Sequence, residues 1–246
     1  MALRTFAILI AGFLISTSVV SAQKRNKFED AQQRAQDAAR IITLLGVLPE
    51  SDLPKELVER AQAIGVFPKV TKETAMFASR TQGFGVISAR TENGWTMPAF
   101  YQFTGGGYGN PFARPETNAV VLLFMTTDAV NWFEKGGVEL KNEKKAIEGP
   151  VGVISDEQRK EIEGAQILAY AYYNGRLTGK AFGKSFWKSF FLHPDNKINT
   201  PLYGMKGREV LAGKKIGNTL DIPPTIPTFK EALQKYYSAT KTAVSN

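Results

Sequence analysis

The chain has 246 residues, with 31 Lys and Arg against 23 Asp and Glu, a net charge of +8, one histidine and no cysteine. That composition excludes disulfides, thiolate metal sites and a thiol nucleophile, and His193 alone supports neither a histidine metal cluster nor a Ser-His-Asp triad. The positive balance favours anionic partners, but the basic residues are dispersed and form no long run of the kind that grips nucleic acid.

The N-terminus reads as an export segment. Arg4 supplies the positive end, Phe6 to Val20 is apolar, and Val20-Ser21-Ala22 is a small-residue cleavage site. The apolar run is shorter than the roughly 20 residues of a bilayer span. Residues 1–22 are therefore expected to be a signal peptide. The mature chain would begin at Gln23, and the protein would be periplasmic or secreted, held to a membrane only peripherally. Residues 23–46 form an N-terminal helical unit: Phe28, Ala31, Ala35, Ala38, Ala39, Ile42 and Leu45 recur at helical spacing, and Gly46 stops the run. Such a helix either packs on the domain or lies on a membrane.

A second helix opens at Pro54, with Leu57, Ala61 and Ile64 on its inner face, and Gly65 to Pro68 follows as a short strand. Ala75 to Ser79 and Phe84 to Arg90 read as hairpin strands joined by a turn at Thr81-Gln82-Gly83. Gly94 to Gly109, GWTMPAFYQFTGGGYG, is expected to be the organising stretch. Its first half alternates like a strand, with an edge or bulge at Pro98. Its second half, Gly105, Gly106, Gly107 and Gly109, is expected to be a turn, either a tight strand connection or a ligand-facing loop, whose glycines allow positive φ or the close approach of another backbone or a ligand.

Asn118 to Met125 is continuously apolar and should be buried on both faces. Thr126 to Asp128 caps a helix from Ala129 to Lys135, and Ser155 to Glu157 caps a polar helix to Glu163. Ala165 to Tyr173 is an aromatic strand. Pro223, Pro224 and Pro227 precede a final helix, Phe229 to Ala239, within a C-terminal unit of residues 223–246.

Five segments, in order, resemble the SYLF domain family. They are LPKELVERAQAIGVFPKV (Leu53 to Val70), GFGVISAR with GWTMPAFYQFTGGGYG, NAVVLLFMTTDAVNWF, EGPVG (Glu148 to Gly152), and the pair Leu202-Tyr203-Gly204 and Val210 to Gly213. The resemblance sets the domain at residues 47–222 and implies a phospholipid-binding module, with actin-binding relatives. The chain departs from the family pattern at Asn110 to Pro115, at GRLTG (Gly175 to Gly179), and at Lys180 to Gly183, where the usual acidic residue is missing.

Together these readings give an α+β class, with a curved, mainly antiparallel β-sheet covered by the N- and C-terminal helices. The expected function is non-catalytic binding of anionic phospholipid headgroups, with no cofactor, no metal and no nucleic acid. A protein-interaction module and an unrecognised hydrolase are the alternatives. Two stretches are candidates for the binding surface, the alternatives being an aromatic core segment with incidental lysines for the first and solvated charges for the second. In KSFWKSFFLH, Lys184, Trp187 and Lys188 interleave charge with aromatic rings, which suits a membrane interface. The other comprises Arg60, Lys69, Lys72, Arg80 and Arg90. GKAFGKS (Gly179 to Ser185) ends like a phosphate loop, but three residues separate its glycines where four are needed.

Overall fold

A computed structural model describes residues 27–47, 53–132, 138–139, 146–173, 175–179, 190–217 and 221–244. One mostly antiparallel sheet dominates it. Ten strands are β1 Ala63–Ala75, β2 Ala78–Thr91, β3 Gly94–Trp95, β4 Ala99–Tyr108, β5 Glu116–Phe124, β6 Val138–Glu139, β7 Ala146–Glu148, β8 Ile167–Tyr173, β9 Arg176–Thr178 and β10 Phe190–Pro194. The order is β6-β10-β4-β2-β1-β5-β8-β7, with β3 on β2 and β9 on β8. Only β7 and β8 pair in parallel among the described strands. The sheet curls into a half-barrel, so the α+β expectation holds.

The helices are α1 (residues 27–47), α2 Lys55–Arg60, α3 Thr127–Asn131, α4 Asp156–Ile162, α5 Asn196–Tyr203, α6 Gly207–Leu211 and α7 Thr228–Val244. The alanine stripe of α1 lets it lie close on the sheet, with Ala31, Ala35 and Ala38 fully buried. Arg34 of α1 stacks over the Phe84 ring at 4.4 Å, and Gly46 abuts Tyr236 of α7. So α1 and α7 cover one face of the sheet. On the other face the Phe67 and Phe103 rings meet edge-on at 5.5 Å, and Phe103 stacks on Phe190 at 4.6 Å.

Local chemistry places several elements as expected. β5 is buried from Asn118 to Phe124. The Thr126 side chain accepts from Ala129 N, and Ser155 forms a capping box with Gln158. Pro98 falls in the break between β3 and β4, where no ladder N–H is required.

Three expectations are corrected. The strand at Gly65 does not close at Pro68; β1 continues to Ala75, absorbing the proline in a bulge between Val66 and Lys69. Thr81-Gln82-Gly83 is not a turn but the middle of β2, and the hairpin turns at Met76-Phe77. Gly83 belongs there for packing, because a Cβ would stand 2.6 Å from Val70 Cγ2. Third, Gly105, Gly106 and Gly107 do not form a turn. They extend β4, opposite Thr81, Arg80 and Ser79, and neither they nor Gly109 adopt positive φ. Gly109 does serve close approach, the other expectation: a Cβ there would stand 2.5 Å from Thr74 Oγ1, and its N–H bonds Phe77 O at 3.0 Å.

Candidate functional site

Burial along the strands divides the sheet in two. β1 is buried from Ala63 to Phe67 and then alternates between exposed and half-buried, apart from Val70; β2 shows the same pattern in reverse. Past that boundary the side chains are Lys69, Thr71, Lys72, Glu73, Thr74, Ser79, Arg80 and Gln82, which cannot drive core packing. They stay in register because the ladder continues: β1 pairs β2 as far as Ala75↔Ala78, β2 pairs β4 as far as Ala78↔Tyr108, and β5 joins through Lys72↔Glu116. The result is a four-stranded extension standing off the half-barrel.

Its tip runs against the polarity of its stem. Met76 is 83% exposed, Phe77 67%, Tyr108 95% and Phe112 91%. Met76 also holds φ 55°, the left-handed region, where a turn ordinarily places glycine or asparagine. A non-glycine residue there costs on the order of 1 kcal/mol. The exposed side chains bury little apolar surface within the protein. Single apolar residues on a surface are ordinary, but four at one end of a polar stem form the kind of feature that marks an interaction site.

Behind the tip, strand alternation sorts the polar side chains. Lys69, Thr71 and Glu73 of β1 share the α1 face with Phe84, Gln82 and Arg80 of β2, and these six line an open cleft of about 310 Å³. Arg80 Nη2 donates to Gln82 Oε1 at 2.8 Å, and Thr71 and Thr117 hydroxyls lie 3.0 Å apart. Lys72 faces the other way, beside Glu116.

The five predicted basic residues are thus not one surface. Lys69 and Arg80 meet at the cleft, and Lys72 lies on the opposite face of the same extension. Arg60 is exposed at the end of α2, near the other end of the sheet. Arg90 is structural: Nη1 donates to Glu59 O at 2.7 Å and Nη2 to Val58 O at 3.2 Å, and the guanidinium stacks on Tyr237 at 4.2 Å and on Trp95 at 5.3 Å. Burial lowers its pKa, against the opposing pull of Tyr237 and Glu59. Lys184, Trp187 and Lys188 lie outside the described residues. Of the aromatics that follow them, Phe190 is fully buried and Phe191 half-buried, its ring stacked with His193 at 5.8 Å.

Sequence reasoning missed Met76, Phe77, Tyr108 and Phe112. The available signal was a pair of large apolar residues between two polar, threonine-bearing stretches, TKET and SRTQ, with no glycine or asparagine to mark the turn.

Fold and site together define a curled α+β half-barrel bearing a basic β extension with an apolar tip. No family model matches the chain, and no curated protein matches it. Among the described residues, no helix is long and apolar enough to cross a membrane, and no group of His, Cys, Asp or Glu is placed to hold a metal ion.

Proposed function

We propose that the protein binds anionic phospholipid membranes peripherally, inserting the tip of the β extension and laying its basic stem on the headgroups. The observation that carries this reading is the exposure of Met76, Phe77, Tyr108 and Phe112 at one end of the sheet. Moving each such side chain out of water is worth roughly 1.5–3 kcal/mol when complete. Lys69, Lys72, Arg80 and, beside Phe112, Arg114 each add about 1 kcal/mol near an anionic surface. The two contributions suit an interface, where rings reach the acyl boundary and cations stay with phosphates. The SYLF resemblance of Leu53 to Gly213 supports the same reading, and residues 1–22, read as a signal peptide, would direct the protein out of the cytoplasm.

The test is co-sedimentation with vesicles of phosphatidylglycerol in phosphatidylcholine. A Phe77→Ser/Tyr108→Ser variant should bind at least about tenfold more weakly, the equivalent of about 1.4 kcal/mol, with an unchanged Tm. Lys184→Gln/Lys188→Gln measures the other predicted surface in the same assay. Wild-type affinity in the tip variant would refute insertion through the tip. Indifference of the wild type to lipid charge and salt would instead favour a protein partner.

A further inference from the structure

The cleft on the extension has a charge pattern that a purely anionic partner does not require. Glu73 and Arg80 are directly opposed across β1 and β2, on the same face. Opposed charges of unlike sign on neighbouring strands ordinarily pair. Here they do not: Arg80 is held by Gln82, and the Glu73 carboxylate makes no hydrogen bond or ion pair with any described residue. Lys69 is likewise without a partner among the described residues. The cleft thus offers two cations, one free carboxylate, a threonine hydroxyl and a glutamine amide. Phe84 lines it as well, and the Arg34 guanidinium stacks on that ring at 4.4 Å.

Position adds a second constraint. Glu73 and Arg80 lie three residues from the Met76-Phe77 turn, which at about 3.3 Å per residue is about 10 Å from the tip. An interfacial insertion of roughly 5–10 Å therefore brings this pair to headgroup level. Lys69 stands further out, where it meets the solvent side of a bound group.

We propose that this cleft takes one zwitterionic headgroup of the phosphoethanolamine class. Arg80 and the Thr71 hydroxyl hold the phosphate, and Glu73 receives the primary ammonium, which can donate hydrogen bonds to the carboxylate. A phosphocholine group presents no N–H and is the poorer ligand. A phosphoglycerol group brings no cation and leaves Glu73 facing a phosphate. The inference rests on the membrane reading above but adds the identity of the headgroup. The exposed tip supplies general attachment, and the cleft supplies the preference.

Two measurements test it. In the first, vesicles at one fixed fraction of phosphatidylglycerol are made up with either phosphatidylethanolamine or phosphatidylcholine. Wild type should bind the ethanolamine vesicles about fivefold more tightly, as expected for one partly exposed charge-assisted contact. Glu73→Gln should abolish that ratio and keep the binding common to both vesicles, and its Tm should not move because the side chain is exposed. In the second, soluble glycerophosphoethanolamine is titrated into the protein and followed by NMR. It should shift Thr71, Glu73, Arg80 and Gln82, and glycerophosphoglycerol at equal concentration should not. Equal binding to the two vesicle types, or a preference that survives Glu73→Gln, overturns the inference while leaving membrane binding intact. Titration by the soluble headgroup without any vesicle binding would overturn the membrane reading and leave the cleft a site for a free phosphoamine.

Discussion

The side chain of Asn199 stands in for a strand beside Phe100. Oδ1 accepts from Phe100 N at 2.8 Å, and Nδ2 donates to Phe100 O at 2.8 Å. Asn199 is fully buried, and Asp195 N–H reaches the same carbonyl at 2.8 Å. The pair ties α5 to the start of β4, where β10 leaves the sheet at Pro194↔Tyr101. Asn199→Ala leaves Phe100 N–H buried without a partner and should cost about 2–3 kcal/mol in a denaturant melt. Asn199→Asp keeps the acceptor but sets a carboxylate against a carbonyl. Its deficit relative to wild type should shrink as pH falls from 7 to 4, because protonation restores a donor. A deficit independent of pH would show that the amide donor does not matter.

Arg90 joins three elements through one guanidinium. It caps the last carbonyls of α2, Val58 and Glu59, and stacks on Trp95 and on Tyr237 of α7. Lysine keeps the charge but not the planar fork. Arg90→Lys should therefore lose about 1–2 kcal/mol, and Trp95 fluorescence should report a loosened environment. Wild-type stability in Arg90→Lys would mean that charge alone suffices.

The glycines of β2 and β4 should respond in opposite ways. A Cβ at Gly85 would stand 2.2 Å from Val66 O and 2.7 Å from Phe67 Cα, both backbone atoms at the β1 bulge. Gly85→Ala should destabilise by more than about 3 kcal/mol or prevent folding. A Cβ at Gly106 meets only Ser79 O, at 3.5 Å, and Gly106 has no positive φ. Gly106→Ala should be neutral or stabilise by up to about 1 kcal/mol, by restricting the unfolded chain. Comparable losses at the two positions would contradict this assignment of the glycine run to an open strand.

Alkali should unfold the protein abruptly. Burial raises the pKa of Tyr101, Tyr170 and Tyr203, and pushes Tyr236 up to about 12. Tyr203 also donates to Pro98 O at 2.7 Å, a bond that ionisation would remove. In the unfolded chain these phenols ionise near pH 10. Above that pH the unfolded state binds fewer protons than the folded one, so stability falls as pH rises. The stabilisation is complete below about pH 10 and is lost at roughly 1.4 kcal/mol per pH unit for each such tyrosine. Tyrosinate absorbance should rise in step with the loss of circular dichroism, and Tyr101→Phe/Tyr170→Phe should make the transition less steep. Smooth ionisation of all eight tyrosines before any unfolding would disprove the burial argument.

What the sequence determined by itself are the features set by neighbours along the chain. The apolar run of β5, the aromatic stretch of β8, the caps at Thr126 and Ser155, and the alanine stripe of α1 each follow from composition, period and local hydrogen bonding. These also suffice for the α+β class, because apolar strands flanked by amphipathic helices have few ways to bury both. The tertiary structure decided what one glycine or one arginine is for. Gly83 looks like a turn residue along the chain, yet it is small because Val70 crosses it. Gly105 to Gly107 look like a loop, yet they extend a ladder held by Ser79 to Thr81. Arg90 and Arg80 are equivalent in sequence, but one is held half-buried against α2, α7 and Trp95 and the other opens onto a cleft. Phe77 and Phe67 are both aromatic residues of the β1–β2 hairpin; what separates them is how far the covering layers reach along β1 and β2. Exposure depends on where neighbouring elements end, and residues distant in the chain set that limit.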